Sequence, residues 1–203
     1  MDDISLLHAA VLAAVAFAAT FVLVPPSIRL AQRLNAIDYP GPRRINTQPM
    51  PRLGGLALFG GLIISVGFEL VGEIVFGWSG FYSNSGHLVI NYPGVVLGLA
   101  VMVLVGAIDD VHQLSPVLKF AGQIIAAIII VMAGVQLDQI KNPFGAGFLY
   151  LGWLDYPLTV LYLVAFANII NLIDGMDGLA AGITAISAIA MLVLAFTRGR
   201  LEV

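Results

Sequence analysis

The chain has 203 residues, of which 60% are hydrophobic and only 10% charged, with a mean hydropathy of +0.98 and a net charge of −3. A soluble domain carries about a quarter charged residues, so this is the composition of an integral membrane protein. It has no cysteine, which excludes thiol catalysis, disulfides and cysteine metal sites, and no basic patch with interleaved aromatics, which argues against a nucleic-acid partner.

In chain order, a first span is expected from about Leu6 to Val24, stopping at Pro25-Pro26. It follows Asp2 and Asp3 instead of a basic leader and has no clear small-residue cleavage site, so it reads as a retained helix. A polar segment, Ser27–Arg52, then holds Arg29, Arg33, Arg43, Arg44 and Arg52. Span two begins near Leu53-Gly54-Gly55 and fades around Leu70, with Glu69 and Glu73 at its far end. Gly72–Pro93 reads as a loop whose Trp78, Phe81, Tyr82 and Tyr92 suit a membrane interface. Span three covers about Gly94–Ile108 and ends at Asp109-Asp110, and a short loop to Lys119 precedes span four, Phe120–Leu137. Asp138–Tyr156 is a second loop, in which Gly145-Ala146-Gly147 separates two short apolar and aromatic runs and suggests a small hairpin. Span five, Pro157–Ile173, leads into an Asn/Asp cluster. Span six, Leu179–Phe196, is rich in small residues, as helix interfaces in lipid are. The expected fold is all-α: a polytopic transmembrane helical bundle of about six spans, forming a single domain over residues 1–203.

Six spans divide the basic residues unequally. One side receives Arg29, Arg33, Arg43, Arg44, Arg52 and Lys119; the other receives Lys141, Arg198 and Arg200. The positive-inside rule makes the first side cytoplasmic and puts the N-terminus outside.

That assignment collects three polar clusters on one face: the Arg-rich segment, Asp109-Asp110 with Lys119, and Asn168–Asp177. In the last, steps of three put Asn168, Asn171 and Asp174 on one helical face, and Gly175 and Gly178 allow a tight turn beside Asp177. Buried acceptors need water, a cation or a polar ligand. Convergent carboxylates beside basic groups suit magnesium and a phosphate-bearing ligand, because oxygen donors bind the hard cation and arginine or lysine offset the remaining charge. The plainer alternatives stay open. Lys119 could be snorkelling at a helix end, Arg43, Arg44 and Arg52 could be topology signals, and Asp38 reads as a turn residue before Pro40. His8 and His87 fall on the outer side and read as bland, and His112 as a loop residue.

Four stretches, in order, carry a family likeness: DYPGPRRINTQPMPRLGG (Asp38–Gly55), GAIDDVHQLSPVLKFAGQ (Gly106–Gln123), the aromatic hairpin loop, and NIINLIDGMDGLAAG (Asn168–Gly182). With them the chain resembles the polyprenyl-phosphate N-acetylhexosamine-1-phosphate transferases of glycosyl transferase family 4, membrane enzymes that begin cell-envelope glycan assembly. The resemblance implies transfer of a sugar phosphate from a UDP-N-acetylhexosamine to undecaprenyl phosphate, giving the polyprenyl-diphospho-sugar and UMP. It implies magnesium, with manganese as an alternative, and a multi-pass plasma-membrane protein whose active site faces the cytoplasm. PRLGG, and Ile173 where the muramoyl-pentapeptide branch usually has threonine, point to the N-acetylglucosamine branch.

The roles implied are specific. Asp109 matches the aspartate that accepts a proton from, or orients, the lipid phosphate. Asp110 matches its neighbour near diphosphate and metal, and Lys119 a lysine facing the lipid phosphate. Asn171, Asp174 and Asp177 match the nucleotide- and diphosphate-binding cluster, with Asp110 and Asp174 as metal residues and Arg52 as a substrate contact. Asn168 supports the cluster's packing. A carboxylate beside a cation can be base or ligand, and the sequence leaves those roles open, as it leaves open a homodimer. Family members are longer, so the chain is expected to correspond to the N-terminal two thirds of the fold, truncated before a later metal-binding aspartate loop and a His-rich loop. Asn46 also stands where many relatives carry histidine. A non-catalytic membrane remnant that keeps the fold is therefore the alternative. A transporter fits less well, since its carboxylates belong near mid-bilayer.

Overall fold

The computed structural model describes residues 6–40, 47–77, 90–173 and 178–197. These residues form six α-helices and two short antiparallel ribbons, the all-α class expected. Among them α1 (Leu6–Arg33), α2 (Gly54–Phe76), α3 (Tyr92–His112) and α5 (Asp155–Ile173) are long and apolar enough to cross a membrane. The other two, α4 (Pro116–Met132) and α6 (Leu179–Thr197), are apolar too but shorter over the stretches that qualify. Their large apolar side chains are mostly exposed, and the buried positions are taken largely by Ala, Gly and Ser. That is how a lipid-facing protein packs: outer surfaces meet acyl chains while small residues let helix backbones approach. The chain is a membrane protein.

The contacts divide the chain into two compact units, one of residues 1–83 with 170–203 and one of 84–169. In the first, α1 and α2 run antiparallel. Gly61 of α2 lies so close to α1 that a Cβ there would come within 2.9 Å of the Ala16 carbonyl oxygen. Ser65 Oγ donates to Leu12 O at 3.0 Å, and one turn on Glu69 Oε2 meets His8 Nε2 at 2.7 Å. Glu69 is only 2% exposed, and its Oε1 has no hydrogen-bond partner among the described residues. At the other end Ser27 Oγ donates to Leu53 O, and β1 (Ile37–Asp38) pairs antiparallel with β2 (Met50–Pro51).

In the second unit α3 and α4 run antiparallel about Gly98, which packs on Ala126 and Ile130, and Gly122, which packs on Val105. Asn91 N–H donates to Ala133 O at the far end. Along α5, Thr159 Oγ1 accepts from Leu137 N–H, and Asn168 Nδ2 donates to Gln123 Oε1 of α4 at 2.8 Å. Between them β3 (Gln139–Lys141) pairs with β4 (Phe148–Tyr150), followed by a 3-10 turn, Gly152–Leu154. The hairpin suggested by Gly145–Gly147 is present.

Several boundaries differ from expectation. Helix α1 passes through Pro25 and Pro26 to Arg33 instead of stopping there. Proline removes a helical hydrogen bond and crowds the preceding turn, but packing overrides it: Ser27 is tied to Leu53, and Ala31 is fully buried. Beyond Leu70, α2 continues until Gly77 closes it in the left-handed region, φ 66°, with its N–H on Glu73 O. Helix α3 carries Asp109 and Asp110 inside its last turn, ending at His112. Ser115 caps α4 and Pro116 starts it, a four-residue advance on the expected start that follows the Ser-Pro start signal.

Candidate active site

Two carboxylates in the last turn of α3 sit against ordinary helix electrostatics, because the C-terminal end carries partial negative charge and favours cations. The chain offsets this by folding straight back. Gln113 N–H donates to Asp109 O at 2.8 Å, Gln113 takes the left-handed conformation at φ 49°, and α4 begins three residues later. The fold-back brings Lys119, in the first turns of α4, to Asp109: Nζ lies 2.8 Å from Oδ2. The other oxygen, Oδ1, accepts the Leu114 N–H at 3.0 Å. Both carboxylate oxygens are thus held from fixed directions while both side chains stay about a quarter exposed. An anion reaching this place would meet a lysine, a carboxylate of set orientation and the amide-bearing start of a helix.

Asp110 is half-buried beside it, and His112 is exposed. One turn further along α4, Gln123 is buried and accepts the Asn168 amide, which also donates to Val164 O at 2.8 Å. Asn168 therefore fixes α5 onto α4. Gln123 enters the sequence reading only as the end of the Gly106–Gln123 stretch, with no role of its own; its place four residues after Lys119, on the same helical face, was the available signal. Asn171, one turn beyond Asn168 on α5, is exposed.

In the other unit the Arg52 guanidinium pairs with Asp38, and Arg52 N–H donates to Ala36 O. Asp38 thus anchors an arginine across the β1–β2 ribbon in addition to preceding Pro40. The guanidinium has five N–H donors, so one carboxylate contact does not saturate it. Asp174 and Asp177, like Arg43 and Arg44, lie outside the described residues. No group of three or more His, Cys, Asp or Glu that could hold a metal occurs among the described residues. The candidate donors are carboxylate and amide oxygens, which suit a hard cation such as magnesium. Asp109 has both oxygens engaged in hydrogen bonds.

Gln113 yields a stability prediction. A non-glycine residue in the left-handed region is disfavoured. Gln113→Gly is expected to raise stability by about 0.5–1 kcal/mol, read as a higher melting midpoint in detergent. An unchanged or lower midpoint would mean that the glutamine side chain compensates for its backbone.

Comparison with known proteins bears directly on this arrangement. The family model described as glycosyl transferase family 4 matches residues 92–203, which include α3, α4 and the Asn/Asp cluster. A Bacillus subtilis (strain 168) protein named a probable undecaprenyl-phosphate N-acetylglucosaminyl 1-phosphate transferase is 35% identical over 89% of this chain and 47% of its own length. A decaprenyl-phosphate N-acetylglucosaminephosphotransferase of Mycobacterium tuberculosis (strain CDC 1551 / Oshkosh) is 36% identical over 85% of this chain and 41% of its own. A phospho-N-acetylmuramoyl-pentapeptide-transferase of Desulforamulus reducens is 30% identical over 93% and 58%. The chain spans about half the length of the curated relatives it matches. No solved structure matches. Since the family model covers more than half of the 203 residues, and the Asp109–Lys119 fold-back lies inside the match, the chain belongs to glycosyl transferase family 4.

Proposed function

We propose that the protein transfers N-acetylglucosamine 1-phosphate from its UDP derivative to undecaprenyl phosphate, an opening step of cell-envelope glycan synthesis. The observation that carries this reading is the Asp109–Lys119 pair at the fold-back between α3 and α4, within the family match. The names of the two relatives that share 35% and 36% identity support the N-acetylglucosamine branch. In the reaction a phosphate oxygen of the lipid attacks the sugar-bearing phosphorus, a new P–O bond forms, and the bond to UMP breaks. Phosphoryl transfer needs mainly positioning and charge stabilisation. Lys119 is suited to the acceptor phosphate as a point charge. Asp109, held at both oxygens, is suited to orient that phosphate or take its proton.

Magnesium, or manganese in its place, would neutralise diphosphate charge, with Asp110 and Asp174 as the carboxylates assigned to it. Asn171, Asp177 and Arg52 are assigned to the nucleotide-sugar by the family pattern. We place the protein in the plasma membrane as a multi-pass protein. The excess of Arg and Lys on one set of loops argues for a site facing the cytoplasm.

The test is transfer of labelled sugar phosphate from UDP-N-acetylglucosamine to undecaprenyl phosphate by membranes carrying the protein. Magnesium-dependent labelled lipid with release of UMP is expected. Folded protein that forms no labelled lipid from this or any other UDP-N-acetylhexosamine would overturn the reading.

A further inference from the structure

The β3–β4 hairpin is built unlike a hairpin that stands in water. A solvated antiparallel ribbon has one apolar face against a core and one polar face outward, and an isolated two-stranded hairpin is marginal by itself. Here all six strand residues are exposed. Directly opposed residues share a face, so Ile140 with Leu149 forms one side, and Lys141 with Phe148 and Gln139 with Tyr150 form the other. Large apolar groups thus project from both sides of the ribbon. They continue to its tip, where Phe144 is 96% exposed on a turn held by Asn142 Oδ1, and into the 3-10 turn, where Trp153 is 78% exposed.

What covers them is indicated by where the ribbon is attached. The stretch apolar enough to span a membrane begins at Gly152, inside the 3-10 turn and two residues after β4 ends. Leu151 N–H donates to Asp138 O, which ties the base of the hairpin to that entry point. The exposed aromatic surface is therefore continuous with the lipid-facing surface of α5, whose Tyr156, Leu161 and Tyr162 are also exposed. Tyr150 and Trp153, apolar in body and polar at one edge, together with the apolar Phe144 and Phe148 and interleaved with Lys141 and Gln139, suit the layer where acyl chains meet headgroups.

We infer that the β3–β4 hairpin and its 3-10 turn lie in the headgroup layer of the bilayer, with Phe144, Phe148, Tyr150 and Trp153 as interfacial anchors and phospholipid as the partner. The surface sets the depth at which α5 enters the membrane. The inference uses only the membrane character of the chain and does not depend on the proposed reaction.

The 203-residue chain lacks cysteine, so Phe144→Cys gives one attachment site for a nitroxide in this chain reconstituted into phosphatidylethanolamine–phosphatidylglycerol vesicles. We expect the probe to collide more with oxygen than with a water-soluble nickel chelate. In a Trp78→Phe background, Trp153 emission is expected to fall when the lipids are brominated near the headgroup end of the acyl chain. It should fall less when they are brominated near the chain terminus. Free access of the nickel chelate to position 144, with no bromolipid quenching of Trp153, would overturn the inference in favour of a hairpin standing in water. Protection from the chelate, oxygen and bromolipids alike would overturn it in favour of a protein cover, such as a second copy. If Phe144→Cys does not fold, Leu149→Cys on the ribbon's other side reports the same immersion.

Discussion

Asp109→Asn is expected to reduce sugar-phosphate transfer by about 10²–10³-fold, the scale on which loss of one preorganised polar group usually acts. The asparagine keeps the carboxylate's shape and can still accept the Leu114 N–H through one oxygen. Its amide nitrogen, however, would face the Lys119 ammonium, so two donors meet where a donor and an acceptor met. Lys119→Ala acts from the other side. It leaves Asp109 in the last turn of α3, at the negative end of the helix, without its cation. Because the two groups work as one unit, the double variant should lose little more than the worse single one. Initial rates in proteoliposomes, with melting curves to show that each variant is folded, decide the matter. Asp109→Asn turning over at nearly the wild-type rate would remove Asp109 from the mechanism, and strictly additive losses would show that the pair does not act together.

Gly98→Val is expected to force α3 and α4 apart. A Cβ at this position of α3 would stand 3.0 Å from the Ala126 carbonyl oxygen and 3.2 Å from the Ile130 nitrogen, both backbone atoms of α4. Neither can swing aside as a flexible side chain could, so the helices must separate. Overpacking of this kind costs about 1–3 kcal/mol. Gly106, on the same helix, has open space where a Cβ would go, so Gly106→Val serves as a control expected to change stability by no more than about 0.5 kcal/mol. Melting midpoints in one detergent compare the two directly. Equal midpoints would mean that the close approach of α3 to α4 at Gly98 is not what holds the pair together.

Much of this was legible in the sequence, for reasons particular to each place. Apolar runs near the length of a bilayer crossing announced the helices, and Gly145–Gly147 between aromatic runs announced the hairpin. The Ser115-Pro116 signal was present, yet the start of α4 was expected at Phe120 because the apolar run begins there. The Pro25-Pro26 stop failed because it is a local rule, whereas Ser27 is tied to Leu53 at the start of α2, more than twenty residues away in the chain, and Ala31 is fully buried. The site was legible as a set of residue types and not as contacts. Asp109 and Lys119 were both singled out, but their pairing depends on a left-handed Gln113, which no composition signals. The Asp38–Arg52 pair depends likewise on the register of a ribbon only two residues long on each side.

The His8–Glu69 contact has a consequence for how the protein is made. The two residues are 61 positions apart, on α1 and α2 respectively. During synthesis α1 reaches the membrane before Glu69 has been translated. Glu69 then arrives in a helix where a solitary carboxylate disfavours insertion. Helix α2 is therefore a poorer membrane segment alone than it is beside α1. The physics favours entry of α1 and α2 as one hairpin, with the polar contact closing as the second arm goes in.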